Sequence, residues 1–491
     1  MDHIDQIVVL PTGSGKSICY MLPSLLKEGI TLVVSPLLAL IRDQVLRLNN
    51  AGIKSGIIKG GIKKRALIEL NSSIKRGETR IIFTTPEALE NEENISFFSG
   101  INIASIVIDE AHCVSEWGES FRPSYLRLGR FIDRFNSASV TAFTATASER
   151  VINKIKQYLY FGRNPHNVVE NPDRPNIRYS VIPCISKSIA VQKLIQGEGR
   201  PMLIFTRSRK RAEELAGKIF AYLEAFSRSN DRGSVISLNG NFMAIDDVKF
   251  YHAGLTGQER ESIENWFLNS ENGILCATSA YGLGVNKKNV RTVVHYDVPR
   301  SVESYLQESG RGGRDGRKAS AVMLYSVDDV IFLNGIVSKI EKERYSAIME
   351  YALTDDICRR EQLLRYVGWK DRFSCSGCDV CSGEAARSPD GFYEIERFIK
   401  RHKKLFSVRG AVQVLKGKSS YDTVRGYLDR FRDFGLFKEW SENNLEEALN
   451  SMLQSRCLRV VDRGMFKHKL TSEKKWISWK ENLRMFLRSG L

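Results

Sequence analysis

Short runs of β-branched residues alternate along the chain with stretches of helical spacing, and the two periods predict its elements. Residues 6 to about 160 carry the runs QIVVL, ITLVVS, RIIFTT, ASIVID and SVTAFTA. Runs nearly continuous in Val and Ile, without strict polar alternation, belong to parallel strands buried on both faces by helices. A second series follows NPDRPNIRYSV: PMLIF, KFYHA, GILCAT, RTVVHY and ASAVMLY. The pattern predicts two α/β domains in tandem, with a boundary near residues 165–175. Between residues 226 and 248 the polar stretch SRSNDRGSVISLNGNFMAIDD predicts a surface loop inserted in the second domain. Beyond Asp328 the spacing becomes helical, then cysteine-rich, then basic and helical again. There is no short solenoid repeat and no low-complexity tract.

Composition narrows the class. A chain of 491 residues has room for several domains of roughly 100–200 residues each. The 42% apolar content allows sizeable cores. Net charge is +16, and residues 391–491 alone supply +10 of it, with 22 Lys and Arg against 12 Asp and Glu. Solubility does not require such clustering; a polyanionic partner such as nucleic acid explains it. No apolar run approaches the ~18 residues of a membrane span, and the acidic, polar start MDHID lacks the character of a secretory signal. Four of the nine cysteines cluster rather than spreading as a disulfide framework, which fits a reducing, intracellular setting.

The candidate chemistry begins at PTGSGKS, a glycine turn between a strand and a helix. Backbone N–H groups of Gly13, Ser14, Gly15, Lys16 and Ser17 in such a turn point at phosphates, with Thr12 beside them among the nucleotide-binding residues. Lys16 adds a point charge, and the Ser17 hydroxyl suits a Mg²⁺ shell. The strict motif wants glycine where Leu10 stands. Farther on, IVIDEAH places Asp109 and Glu110 at the end of an apolar strand. Two adjacent carboxylates there are costly unless they hold a metal or polarise a water. Asp109 is expected to serve Mg²⁺, and Glu110 to orient and deprotonate the attacking water. The string YLQESGRGGRDGR carries Gln307, Arg311 and Arg314. It reads either as a loop touching nucleic acid or as arginines that swing onto a γ-phosphate. The second reading makes ATP straddle the two domains and turns the pair into a motor. Sixteen residues separate Cys358 from the compact trio Cys375, Cys378 and Cys381. Four thiolates suit a closed zinc site, though an iron–sulfur cluster also accepts such a trio.

Taken in order, PTGSGKSICYMLPSLL, VVSPLLALIRDQV, FTTPEAL, IVIDEAHCVSEWGESFRPSYLRLG, TAFTATA, MLIFTRSRKRAEELA, FYHAGLTGQER and ILCATSAYGLGVNKKNVRTVVHYDVPRSVESYLQESGRGGRDG resemble superfamily 2 helicases, and more narrowly the RecQ family of DNA helicases. The resemblance implies an α/β protein. Two RecA-like domains (1–168 and 169–330) would be followed by a helical zinc module (331–384) and a winged helix (385–491). It implies ATP, Mg²⁺ and Zn²⁺ as cofactors, single-stranded and duplex DNA as partners, and 3′→5′ unwinding in repair, recombination or replication-fork processing. Repair or single-strand-binding proteins would be further partners, no membrane is expected, and the location would be the bacterial nucleoid or the eukaryotic nucleus. In such enzymes the aromatic loop CVSEWGESFRPSY senses single-stranded DNA, here through Trp117, Phe121 and Arg122. The cysteine spacing matches the family's zinc module. Arg463 and Gly464 would turn the wing, with Lys467, His468 and Lys469 on its second strand, for backbone-dominated duplex binding.

Departures from the family pattern accompany the likeness. The aromatic–Arg–Gln segment that reads adenine in the family finds no room ahead of Gln6 in the sequence as given, so the base grip is expected to be absent or replaced, or the protein to start earlier; no further helical nucleic-acid module is expected after Trp479. Glu119 and Ser120 stand where His-Asp is usual, Gly313 replaces a common alanine, and Asn286 and Lys288 replace Asp and Pro. A degenerate, non-hydrolysing DNA-binding relative and an RNA helicase are the competing readings.

Overall fold

In the computed structural model all ten β-branched runs become strands, and neighbouring strands in the two large sheets pair parallel. The structure describes residues 4–11, 14–36, 38–116, 123–135, 137–145, 148–229, 235–238, 241–244, 247–282, 287–369, 374–418, 428–472, 479–481 and 483–484. Contacts divide the chain into two units, the first running up to Arg174 and the second taking up at Pro175 and holding most of the rest.

The first unit is built on β1 (Gln6–Val9), β2 (Ile30–Val34), β3 (Ser55–Ile58), β4 (Ile81–Thr84), β5 (Ile103–Ile108), β6 (Ser139–Thr144) and β7 (His166–Val169). Their order across the sheet is β3-β4-β2-β5-β6-β1-β7. Successive residues feed opposite faces. Ile7, Val9, Leu32, Val34, Ile106 and Ile108 join one buried cluster, while Val8, Val33, Val107 and Phe143 join another. Helices therefore cover both faces, as the unbroken apolar runs require. Two strands lay outside the sequence expectation. β3 is interrupted by glycine, and β7 is an edge strand exposed along its whole length.

The second unit opens with a six-stranded sheet: β8 (Ile177–Pro183), β9 (Met202–Phe205), β12 (Val248–Tyr251), β13 (Ile274–Ala277), β14 (Thr292–His295) and β15 (Ala319–Tyr325), in the order β12-β13-β9-β14-β15-β8. The stretch read as a plain loop is more ordered than expected. The helix Arg209–Ser229 runs into it, and β10 (Val235–Leu238) pairs antiparallel with β11 (Asn241–Ala244).

Helices Phe392–Arg401, Val408–Lys416 and Glu442–Gln454 follow, then an antiparallel hairpin of β16 (Leu458–Val460) and β17 (Leu470–Ser472). Ser407 and Ser441 cap the second and third helices by accepting hydrogen bonds from Gly410 N and Asn444 N. Leu415, Leu445, Leu449 and Met452 are fully buried beneath them. Lys467, His468 and Lys469 do not lie on the second strand as expected but in the turn before it. His468 has φ +67°, which breaks the extended run, and β17 begins only at Leu470. No helix among the described residues is long and apolar enough to cross a membrane.

A buried ion network closes the carboxyl end of the second sheet. The Lys187 ammonium lies 2.7 Å from Asp329 and 3.7 Å from Asp297, and Arg207 meets Asp329 at 2.7 Å. Glu447, from the helix Glu442–Gln454, accepts from the Ser186 hydroxyl and the Lys187 amide. Burial pushes Asp329 up, but Lys187 and then Arg207 overcome it, so its carboxyl lies below the ordinary 3.8. Stability from this group is complete above that ordinary value and is lost as pH falls through the lower folded value. Lys187→Met, leaving a buried carboxylate short of its partner, is expected to cost about 3–5 kcal/mol at pH 7. Urea denaturation measured from neutral to acid pH checks this, because the deficit must shrink as Asp329 protonates.

Candidate functional site

The glycine turn and the carboxylate pair meet at the carboxyl edge of the first sheet. β1 ends at Val9, and Leu10 N donates to Thr144 O at 3.0 Å, tying the turn to the end of β6. The Ser14 hydroxyl donates to Pro11 O at 2.8 Å. Gly15, at φ +84°, caps the helix Lys16–Leu26, a conformation that residues with a Cβ rarely adopt. Lys16 and Ser17 thus open a helix whose first N–H groups and dipole favour a bound phosphate. Thr12 and Gly13 lie outside the described residues.

Asp109 follows β5 directly, its amide bound to Val34 O at 2.8 Å and the residue as a whole only 7% exposed. Its Oδ1 accepts from Glu110 N at 3.0 Å. Burial first, and then the Glu110 carboxylate, push the Asp109 pKa up to about 6, with Lys16 and a Gln44 hydrogen bond pulling the other way. A carboxylate so disfavoured is poised to gain from a cation. Glu110 sits at φ +50°, in the left-handed region, before the chain turns back so that Ala111 N reaches Phe143 O at 2.8 Å. His112 Nδ1 lies 3.1 Å from Thr144 Oγ1 and 3.4 Å from Glu110 Oε2, joining the ends of β5 and β6.

Two members of this cluster carry no role in the sequence reading. The Tyr20 hydroxyl donates to Gln44 Oε1 at 2.8 Å, and Gln44 in turn hydrogen-bonds Asp109. Tyr20 stands four residues after Lys16, on the same helix face, which is a local signal. Gln44 comes from the separate helix Leu38–Asn50, and only the fold brings it near.

Gln307, Arg311 and Arg314 belong to the second unit. Gln307 lies on the helix Val302–Ser309, and the arginines lie in the turn that follows, Arg311 being buried. Cys358, Cys375, Cys378 and Cys381 bring their sulfurs within 4.8 Å of one another. A tetrahedral zinc with ~2.3 Å bonds sets sulfurs roughly 3.8 Å apart. Cys358 and Cys378 stand at 3.9 Å, and Cys381 N donates to the Cys378 sulfur at 3.3 Å. The four residues fit a single tetrahedral ion.

Comparison with known proteins agrees. The DEAD/DEAH box helicase family matches residues 1–155, the helicase conserved C-terminal domain residues 186–316, and the RecQ zinc-binding family residues 329–382. A Pasteurella multocida protein named ATP-dependent DNA helicase RecQ is 31% identical, covering 93% of this chain and 70% of the relative. Its Bacillus subtilis namesake is 30% identical over 95% of this chain and 77% of its own length. The chain belongs to the RecQ family. A solved structure of S. cerevisiae Dbp5 bound to RNA and ADP BeF3 aligns with TM-score 0.50 at 19% identity, covering 81% of this chain and 89% of that one. That is a likeness of fold.

Within the RecQ frame, ATP with Mg²⁺ and Zn²⁺ are the cofactors. Trp117, Glu119, Ser120, Phe121, Arg122 and Asn286 lie outside the described residues. In the turn between β16 and β17, Lys467 is exposed and Lys469 half-buried, and the tip also presents Met465 at 90% exposure beside Phe466. The Lys404 ammonium stands 5.7 Å from the Phe466 ring centre. This apolar tip escaped sequence reasoning because Met-Phe reads as interior. Removing the buried sulfur by Cys378→Ser is expected to leave less than about a tenth of the zinc and to lower the thermal midpoint by roughly 5 °C or more. Elemental analysis and a melting curve decide it; iron in place of zinc would overturn the assignment.

Proposed function

We propose that the chain is an ATP-dependent DNA helicase that moves 3′→5′ along one strand. One observation carries the reading. The helix-opening Lys16, the buried Asp109 and Glu110 stand together at one sheet edge in a chain of the RecQ family. The residues present suit the nucleotide. Lys16 and the N–H groups around it hold the phosphates, with Ser17 and Asp109 as the pair facing Mg²⁺, which supplies charge neutralisation on phosphate oxygens. Glu110 orients the attacking water and accepts its proton, while His112 and Thr144 keep its turn in place. Arg311 and Arg314, with Gln307, are the groups assigned to the charge that develops on the transferred phosphoryl group.

For DNA we assign Trp117, Phe121 and Arg122 to the single strand, and the wing to the duplex. Lys467 and Lys469 follow the exposed apolar tip Met465-Phe466, so phosphate contacts and short-range stacking on a terminal base pair fit together there. We assign its work to repair, recombination or fork processing, in a nucleoid or nucleus, alongside repair or single-strand-binding proteins. Intact Lys16, Asp109 and Glu110 stand against the degenerate, non-hydrolysing reading. The sequence relatives are named as DNA helicases, which favours DNA over RNA.

Lys16→Ala and Glu110→Gln are each expected to lower DNA-stimulated ATP turnover by about 10²-fold or more, Glu110→Gln while still binding nucleotide. Equal turnover in wild type and Lys16→Ala would defeat the enzyme reading, and unwinding of tailed DNA and RNA duplexes fixes substrate and polarity. Replacing Lys467 and Lys469 by Ala is expected to make the slope of log affinity against log salt shallower by ~0.9 for each phosphate no longer neutralised, measured by anisotropy on duplex DNA.

A further inference from the structure

The turn that carries Arg311 and Arg314 is tied from outside by one side chain. The Asn176 amide Nδ2 donates to Gly313 O and to Arg317 O, both at 2.8 Å. A single NH₂ group thus closes the turn from either side of Arg314. The Asn176 backbone carbonyl accepts from Ala319 N at 2.9 Å, fixing where the turn hands over to β15. Gly313 is the counterpart of this contact. It has φ +55°, and a Cβ there would stand 2.4 Å from both Arg317 O and Asn176 Nδ2. The lack of a side chain at Gly313 is therefore what lets the asparagine approach.

Asn176 is itself held from the zinc module. It immediately precedes β8, the edge strand of the second sheet. The Arg360 guanidinium donates to Ile177 O at 2.5 Å. Tyr179 N donates to Gly377 O at 3.4 Å, and Asp379 N returns a bond to Tyr179 O at 3.0 Å, so the cysteine knuckle meets β8 in a single parallel bridge at Cys378. Asp379 Oδ2 accepts from Val181 N at 3.0 Å, and its Oδ1 from Arg359 Nε at 2.9 Å. Arg359 and Arg360 directly follow the ligand Cys358, and Gly377 and Asp379 flank the ligand Cys378. A continuous set of hydrogen bonds therefore runs from the metal-binding cysteines along β8 to the arginine turn.

We propose that Asn176 is a positioning residue for ATP turnover. Its amide sets the backbone from Gly313 to Arg317 and hence the reach of Arg314, and the zinc knuckle holds Asn176 through β8. The proposal rests on the role assigned above to the arginines. The chemistry at position 176 is restrictive. Two carbonyls need two N–H donors from one short, uncharged side chain, which Asn supplies; Ala has no donor, and Asp turns oxygens toward oxygens.

The test is steady-state, DNA-stimulated ATP hydrolysis by the full chain as wild type, Asn176→Ala, Asn176→Asp, Arg314→Ala and the Asn176→Ala/Arg314→Ala double variant. Zinc content and melting curves accompany each. Asn176→Ala is expected to lower kcat about tenfold while the KM for ATP stays within about twofold, because a displaced arginine is missed mainly in the transition state. Asn176→Asp is expected to be at least as slow, and the double variant no slower than Arg314→Ala alone. Unchanged kcat in Asn176→Ala beside a slow Arg314→Ala overturns the proposal by itself, as does a double variant slowed by the product of the two effects. An Arg314→Ala chain as fast as wild type instead overturns the role given to that arginine, and the proposal with it. Should Asn176→Ala not fold, Asn176→Ser, which keeps one donor, takes its place with a smaller loss of kcat expected.

Discussion

Parallel pairing is the constraint on which the rest of the molecule depends. A parallel strand cannot turn straight back to its neighbour; the chain must cross over, usually through a helix, before it can pair again. The carboxyl ends of the strands and the N-termini of the following helices therefore collect along one edge of each sheet. In the first unit that edge gathers Gly15, Lys16, Asp109 and Thr144 from three strand ends. In the second it gathers Ser186, Arg207, Asp297 and Ser326 from four. The fold makes two such edges, and the side chains give them opposite uses. Burial dominates at Asp109 and raises its pKa, leaving a carboxylate that gains from a cation. At Asp329 burial is outweighed by Lys187 and Arg207, and the pKa falls. One edge remains open to chemistry while the other is filled with fixed charge and serves packing, including the contact of Glu447 with Ser186 and Lys187.

The second sheet has a further problem at its rim. β8 is an edge strand seven residues long, and such an edge invites unwanted pairing unless it is covered. The cysteine knuckle covers it with main-chain bonds at Tyr179 and with the Asp379 carboxylate. A segment as short as residues 374–384 has no core with which to hold that shape, and the four sulfurs supply the order that apolar packing cannot. Metal binding and sheet protection are in this way one structural feature. It also explains why Arg359 is buried although charged: Asp379 accepts from it, and Tyr351 O accepts at 2.7 Å.

Much of this was legible in the sequence, for physical reasons that also mark the limit. Strands buried on both faces need unbroken apolar runs, so ten of the strands in the two large sheets announced themselves. Adjacent carboxylates after such a run, and four cysteines at metal spacing, are each too costly to be incidental. β7 was hidden because an exposed edge strand needs no apolar face, and His166–Val169 was read as a boundary region. Gln44 and Asn176 were hidden for another reason. Each is a common polar residue whose significance is a partner far away in sequence, Asp109 for one and Gly313 for the other. Such pairings are set by strand order, which local periodicity does not carry. The wing lysines were misplaced by the same locality: a left-handed His468 shifts the start of β17 without leaving a compositional sign.

Burial separates the chemistry from the grip. Lys16 aside, the groups that set the state of Asp109 act from within the fold, where the dielectric is low and salt screens poorly. The cations of the last fifth of the chain are of the opposite kind. Lys467 and Arg463 are exposed, and their attraction for phosphates acts over about a Debye length, ~8–10 Å at physiological salt. Charge of this sort brings a polyanion in from any direction and holds it without reading its sequence. Met465 and Phe466, by contrast, are exposed apolar groups that act only at contact and are not screened by salt. A hairpin tip that combines both has a long-range attraction that salt removes and a short-range one that it does not. Ionic strength therefore bears on how often DNA is held far more than on what the buried carboxylates do once nucleotide is bound.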